Sequence, residues 1–508
     1  MGACHLSVIL DRPPAYDLRK QAQTPLLDAM VAYRRQGVRR FHMPGHRGGH
    51  GADWRLRELL GDSVFALDVT GVPGLDDLHQ PSGPIRRAQE LAAEAFGADH
   101  SFFLINGSTV GVQAMILAAC EPRDKIVVAR NVHKSILSAL ILSGTAPVFV
   151  QPEVDPEFGI PMGVSAQAVA GALDRHPDAR AVVLVSPTYH GFVGDIAAIA
   201  DEVHRRGKVL LVDEAHGPHL GFHEALPKPS LLAGADACTQ GVHKMLGGFT
   251  QASILHLRGE RIDPARVCSV LRLLQSTSAS YLLMASIDVA RMQMATSGRQ
   301  LLGRALELAQ ELRARIGGIA GLRTFGPERA RRPGAVGLDP TKVTVGVWPL
   351  GLTGHAVEGL LRDVGPLQAE MSDLLNVLFI VGFGNTPEDL ERLTQALEHV
   401  AEHADRYRSP RMERLVAAAR AACGPSPLPE LEVLPREAFF ARSRAVPLEE
   451  AEGAVSAEMV ACYPPGIPIL CPGERISAAA VRQLMLVREA ELAVSGPRDP
   501  GLRTLQVL

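Results

Sequence analysis

Short apolar runs separated by helix-length segments dominate the middle of the chain. Strands are predicted at residues 102–105, 125–129, 147–150, 181–185 and 209–212, with helices between them that include 110–119 and 135–142. Near-continuous Val, Ile and Leu strands joined through helices predict an α/β architecture, a mostly parallel sheet covered on both faces. In such sheets functional side chains gather in the loops at the carboxyl ends of the strands. Asn106, Thr188, Asp213 and Lys244 all fall at or after such ends.

Different patterns flank this region. Residues 1 to about 40 read as an N-terminal arm with one amphipathic helix at 25–35. The stretches 41–49 and 68–84 are punctuated by Gly and Pro and predict loops, followed by a helix at 85–96. Farther on, Leu302, Leu306, Ala309 and Leu312 share one face of a helix predicted at 301–316. The Arg-, Gly- and Pro-rich run 327–337 predicts an exposed loop, and 342–348 and 376–381 predict strands. Thr386 followed by Pro387, Glu388 and Asp389 predicts a capped helix start, with the helix reaching about His403. Residues 423–429 have linker composition and precede a module containing Tyr463-Pro464-Pro465-Gly466-Ile467-Pro468. The expected division is an arm (1–40), a large domain (41–300), a smaller α+β domain (301–408) and a C-terminal module (409–508).

Composition narrows the function classes. The chain has 508 residues, 46% hydrophobic and 21% charged, as in an ordinary globular enzyme of more than one domain. A net charge of -3 gives no electrostatic argument for nucleic acid or an acidic membrane surface as a partner. No apolar run reaches the ~20 residues of a membrane span. The short apolar patch at 6–10 lacks a basic start, so no signal peptide is expected. Seven scattered cysteines, an odd number without a CxxC pair, suit a reducing cytoplasm better than a disulfide framework or zinc site. The 18 histidines include no HExxH and no tight His/Cys cluster, so no metal is expected.

The chemistry centres on Thr239-Gln240-Gly241-Val242-His243-Lys244-Met245-Leu246-Gly247-Gly248. A lysine in a polar, backbone-dense turn is a candidate Schiff-base amine, although a surface loop lysine is the commoner case. Upstream, Asp213 ends an apolar strand in Asp213-Glu214-Ala215-His216-Gly217. Strand-end Asp, about thirty residues, then Lys is the order a pyridoxal-phosphate site needs. The acid keeps the pyridine nitrogen protonated while the lysine carries the cofactor. Asn106-Gly107-Ser108-Thr109, where a strand turns into a helix, can bind an anion or simply cap the helix. The company of Asp213 and Lys244 favours the phosphate reading. His133 begins the next helix and can stack on a flat ring. Ser276-Thr277-Ser278 offers hydroxyls that either serve a loop or reach phosphate across a subunit boundary.

Taken in order, FHMPGH (41–46), GLDDLH (74–79), NGST (106–109), DEAHG (213–217), HKML (243–246), QSTS (275–278) and YPPGIP (463–468) resemble the Orn/Lys/Arg decarboxylase family. These are bacterial fold-type-I pyridoxal-phosphate enzymes, and the smaller, arginine decarboxylase-type members are the most similar. The resemblance implies that Lys244 binds the cofactor covalently and Asp213 pairs with its pyridine nitrogen. His133 would stack on the ring, with Ala215 and His216 on its other side. Ser108, Thr109 and His243 would hold the phosphate, helped by Thr277 from a partner subunit. Glu370 matches the position that meets the substrate's distal cation, although by residue type alone it reads as a solvated acid before a strand. In one departure, relatives commonly carry a serine where this chain has Gly241. One phosphate hydroxyl is then missing, while the backbone amide is expected to remain available. The implied function is decarboxylation of a basic L-amino acid, arginine before lysine or ornithine, in polyamine-related metabolism. The implied assembly is a cytoplasmic homo-oligomer, at least a dimer with shared active sites. Another fold-type-I activity such as aminotransfer, or a catalytically silent regulatory homologue, is the alternative. Lys244 and His243 are both candidates to return the proton to Cα.

Overall fold

The computed structural model describes residues 16–424, 427–462 and 466–508. The N-terminal apolar patch, Cys4, Pro425 and Ser426 of the linker, and Tyr463, Pro464 and Pro465 of the last motif lie outside the described residues.

A large sheet is built from β1 (His100–Leu104), β2 (Lys125–Ala129), β3 (Ala146–Val150), β6 (Ala181–Val185), β8 (Val209–Asp213), β9 (Ala237–Gln240) and β10 (Ser253–Leu257). The short β4 (Val154–Asp155) and β5 (Ile160–Pro161) pair as a hairpin, and β7 (Phe192–Val193) lies outside the sheet. The spatial order is β1-β10-β9-β8-β6-β2-β3. Pairs from β9 through β3 are parallel, while β10 runs antiparallel to both β9 and β1. The predicted mostly parallel sheet is therefore present, its strand limits shifted by a residue or two at most. The central strands are buried along their length because helices cover them, which is why they read as unbroken apolar runs.

A second sheet joins β11 (Arg323–Thr324), β13 (Lys342–Gly346), β14 (Met371–Ser372) and β15 (Asn376–Ile380) in the antiparallel order β11-β13-β15-β14, while β12 (Gly337–Leu338) pairs with β7. The helix Pro387–Glu402 packs on this sheet, and its start carries the reciprocal Thr386–Asp389 capping box that the sequence predicts.

One expectation is corrected and another refined. The helix predicted at 301–316 is the last part of a helix spanning Tyr281–Gly317. Its first half, rich in Leu, Met and Ala, buries residues such as Tyr281, Met284, Ile287 and Ala290 against the large-domain core, so no single apolar stripe marks it in the sequence. The run 327–337 is exposed over much of its length, as expected, but it is anchored to the body of the protein. Arg329 forms a two-pronged contact with fully buried Asp155 at 2.6 and 2.8 Å, and Ala330 and Ala335 are buried. Arg329 and Arg332 read as solvated because their carboxylate partner, Asp155, lies far away in the chain.

The C-terminal segment is tied to the strand end that precedes His133. Arg130 donates to the Pro468 and Ile469 carbonyls and to Glu474 Oε2, each at 3.0 Å, and the Glu474 side chain is fully buried. Burial raises the Glu474 carboxyl pKa, and the Arg130 guanidinium opposes that rise. Removing one partner of such a pair leaves an uncompensated buried charge, worth about 3–5 kcal/mol. Glu474→Ala is expected to lower the apparent melting temperature and to expose residues 427–508 to limited proteolysis. Parent-like melting and digestion would show that the pair does not hold the segment.

Candidate active site

The carboxyl ends of β1, β2, β6, β8 and β9 open onto one cavity of about 720 Å³. Asp213, Ala215, His216, Lys244, His243, His133, Ser108, Thr109 and Glu370 all line it. The fold brings together side chains from five separate stretches of sequence, one of them Glu370, immediately before β14 of the second sheet.

Lys244 sits on a single helical turn, Val242–Met245, directly after β9. Its Nζ lies within hydrogen-bonding distance of His216 Nε2 at 3.2 Å, and 5.7 Å from the centre of the Tyr189 ring. Burial lowers the amine pKa below its ordinary value, and the charges of Asp213 and Glu370 partly restore it. A less basic lysine is a better nucleophile at neutral pH. His216 Nδ1, on the other side of the ring, is buried without a hydrogen-bond partner among the described residues. Burial first, then the charge of Lys244, drives the His216 pKa well below the usual value, and the ring stays neutral. Tyr189 packs on His216 with ring centres 4.4 Å apart.

Asp213 is 4% exposed and accepts the Ala215 backbone N–H on Oδ1 at 3.1 Å. Burial raises its pKa, outweighing the attraction of Lys244. A carboxylate so placed is stabilised by any cationic group entering the cavity. His133 caps the helix Lys134–Ser143 by accepting the Ser135 N–H on Nδ1 at 3.2 Å. Its pKa falls to about 4, chiefly through burial, so a neutral, flat face borders the cavity. His243 donates from Nδ1 to the Ala252 carbonyl at 3.0 Å, which leaves Nε2 as its proton-accepting atom. Ser108 and Thr109 stand in the first turn of the helix Gly107–Ala119, where backbone N–H groups and the helix dipole favour an anion.

Residues 24–389 match the family model described as Orn/Lys/Arg decarboxylase, major domain, and residues 418–497 match the model of the C-terminal domain. The chain belongs to the Orn/Lys/Arg decarboxylase family. It is 43% identical to an arginine decarboxylase of Halalkalibacterium halodurans over 97% of this chain and 99% of that protein. With an arginine decarboxylase of Bacillus subtilis the identity is 41%, covering 96% and 98% of the two chains. Lysine decarboxylase A from Pseudomonas aeruginosa shares the fold with a TM-score of 0.84 at 24% identity, over 96% of this chain and 81% of that one. A serine palmitoyltransferase from Sphingomonas wittichii shares it more distantly, with a TM-score of 0.52 at 14% identity over 76% and 86% of the two chains.

Within this family member one expectation changes and several residues are added. Thr277, expected to act from a partner subunit, does not line the cavity of its own chain. Its loop is held at the exit of β1, where Gln275 Oε1 accepts the Ile105 N–H at 2.9 Å, and at Ser276, whose carbonyl accepts from His79 Nε2 at 2.9 Å. Gly241 does not offer its backbone amide to a phosphate, because that N–H donates to the Ala215 carbonyl at 3.1 Å. A Cβ at 241 would stand 2.9 Å from the same carbonyl oxygen, so glycine permits this close approach. Tyr189, His190, Asn131, Asp373 and Ile467 also line the cavity. Tyr189 and His190 follow the end of β6 and obey the rule that singled out Thr188, whereas Asp373 and Ile467 arrive by tertiary contact alone.

Proposed function

We propose that this protein is a pyridoxal-phosphate-dependent decarboxylase of basic L-amino acids, with arginine as the preferred substrate. The observation that carries the reading is the lysine of lowered basicity, Lys244, in one cavity with buried Asp213. The near-full-length similarity to arginine decarboxylases supports the choice of substrate. The donor set fits the cofactor. Lys244 offers the attaching amine, and Asp213 is a buried anion suited to a pyridinium. His133 offers a neutral face, and Ser108 and Thr109 head a helix suited to a phosphate. Bound pyridoxal phosphate would supply the sink for the electron pair left when the carboxylate departs as carbon dioxide. Asp213 keeps that sink protonated, Ala215 and His216 border it, and Lys244 or His243 returns a proton to Cα. Thr277 is assigned to the phosphate of a partner subunit, in a homo-oligomer working in the cytoplasm. Among the described residues no helix is long and apolar enough to cross a membrane. Product analysis with arginine, lysine and ornithine side by side tests the substrate. Arginine is expected to give its amine and carbon dioxide with the highest kcat/KM, and faster turnover of lysine or ornithine would overturn the preference.

Glu370 is assigned to the distal cation. Its carboxylate lines the cavity while remaining exposed in the single chain, so its contribution belongs at the low end for a charge pair, about 2 kcal/mol. Glu370→Gln is expected to raise KM for arginine about 30-fold with cofactor occupancy unchanged. An unchanged KM would transfer the role to Asp373, which also lines the cavity. Asp76 does not line the cavity, and its carboxylate accepts from the backbone N–H groups of Asp77, Ser82 and Gly83.

A further inference from the structure

The strands β1, β10, β9 and β8 are neighbours in the large sheet. One polar side chain from each of the first three, with Glu214 directly after β8, forms a continuous hydrogen-bonded row through an apolar interior. Gln240 Oε1 can only accept, so His256 Nε2 carries the proton and donates to it at 3.2 Å. That tautomer leaves His256 Nδ1 to accept from Ser101 Oγ at 2.7 Å, across a directly paired position of β1 and β10. Gln240 Nε2 then donates to Glu214 Oε2 at 2.7 Å, and the Ser230 backbone N–H donates to Oε1 at 2.6 Å. Ser101, His256, Gln240 and Glu214 are 6, 0, 3 and 1% exposed. Each of these groups would carry a desolvation penalty if left unpaired, so the row is stable only when complete. Burial pushes the Glu214 carboxyl up to about 7 and the His256 ring down to about 3, so the histidine stays neutral. Gly217 makes room for Glu214, because a Cβ there would stand 2.5 Å from Glu214 Cγ.

None of the four side chains lines the active-site cavity. Their place in the chain shows what they hold. Glu214 directly follows Asp213, and Gln240 lies four residues before Lys244. Their bond therefore joins the two loops that carry the two principal groups of the site, and the Gly241 N–H to Ala215 carbonyl bond runs beside it at 3.1 Å.

We propose that Glu214 and Gln240 are positioning residues. Their hydrogen bond pins the carboxyl end of β8 to that of β9 and sets the placement of Asp213 relative to Lys244, while His256 and Ser101 hold Gln240 in register. The proposal rests on the roles given above to Asp213 and Lys244.

The direction of each bond supplies the test. Glu214→Gln alone can be accommodated, because Gln240 can turn its amide over, accept from the new amide and donate to His256 Nε2 while His256 Nδ1 donates to Ser101 Oγ. Gln240→Met has no such escape: it removes both polar atoms, leaves Glu214 Oε2 without its donor and unlinks the two loops. In the cofactor-loaded enzyme, Gln240→Met is expected to lower kcat about tenfold with KM within twofold, and to shift the cofactor absorbance to shorter wavelength. Glu214→Gln is expected to keep kcat within threefold of the parent with the parent spectrum. If Gln240→Met does not accumulate as folded protein, Glu214→Met removes the acceptor instead, and the same fall is expected. A parent-like spectrum and kcat in the Met variant, or a Glu214→Gln enzyme as impaired as the Met variant, would overturn the proposal. Borohydride reduction and peptide mapping of the parent report separately on Lys244, so failure of that assignment is distinguishable from failure of the pin.

Discussion

Lys244→Ala is expected to abolish both turnover and covalent attachment of the cofactor. Lys244 is the one lysine among the described residues that lines the cavity. The other buried candidate, Lys342, has its Nζ against Met245 and 3.7 Å from Asp339, outside the cavity lining. Lys134 donates to Ser495 Oγ at 2.9 Å and Lys208 to the Pro177 carbonyl at 2.7 Å, and neither lines the cavity. No substitute amine is therefore in place. Burial lowers the basicity of Lys244 and favours the unprotonated form that attacks a carbonyl. Borohydride reduction of the parent enzyme followed by peptide mapping is expected to find the pyridoxyl group on Lys244. The alanine variant is expected to carry no label and to release no carbon dioxide from arginine. A label on Lys134, Lys208 or Lys342 would reassign the site.

The large sheet was readable in the sequence because its strands are buried on both faces, and burial on both faces writes itself as unbroken Val, Ile and Leu. The same signal fails where apolar and polar residues are mixed on both faces of a helix. In the first half of the Tyr281–Gly317 helix Leu282, Leu283 and Val289 are only half-buried while Asp288 and Arg291 lie in the buried face, so periodicity locates only its second half. The family resemblance supplied Ser108, Thr109, His133, Asp213, Lys244 and Glu370, and the fold gathers these six around one cavity. What stayed illegible depends on contacts between distant segments. Asp155 pairs with Arg329 and Arg332, Ile467 reaches the cavity from the C-terminal segment, and the Gly241 amide is taken by Ala215. Glu214 is the instructive case. In sequence it is one more acid beside Asp213, and strand alternation sends its side chain to the far side of the chain, into the buried row with Gln240.

Asp213→Asn separates what the carboxylate does for the reaction from what it does for the fold. The substitution keeps an oxygen to accept the Ala215 N–H, so the local turn is retained. It removes a charge whose net pKa shift is upward, which means that desolvation outweighs the attraction of Lys244. A carboxylate with a raised folded pKa binds more protons folded than unfolded. Its cost to stability therefore grows as pH rises from the unfolded value of 3.8 through the folded value, and is complete above that. The cofactor-free variant at pH 8 is accordingly expected to melt no lower than the parent. The cofactor is expected to behave in the opposite way. Without the anion, a pyridine nitrogen in the cavity loses the partner that keeps it protonated, and both binding and the electron sink weaken. The rise in melting temperature on adding pyridoxal phosphate should shrink, and turnover in the fully loaded variant should fall by about two orders of magnitude or more, as for loss of one strong electrostatic contact. Melting curves with and without cofactor, together with kcat at saturating arginine and measured occupancy, check both halves. Near-parent turnover in a fully loaded Asp213→Asn enzyme would remove Asp213 from the mechanism, and a large drop in the cofactor-free melting temperature would make it a structural residue instead.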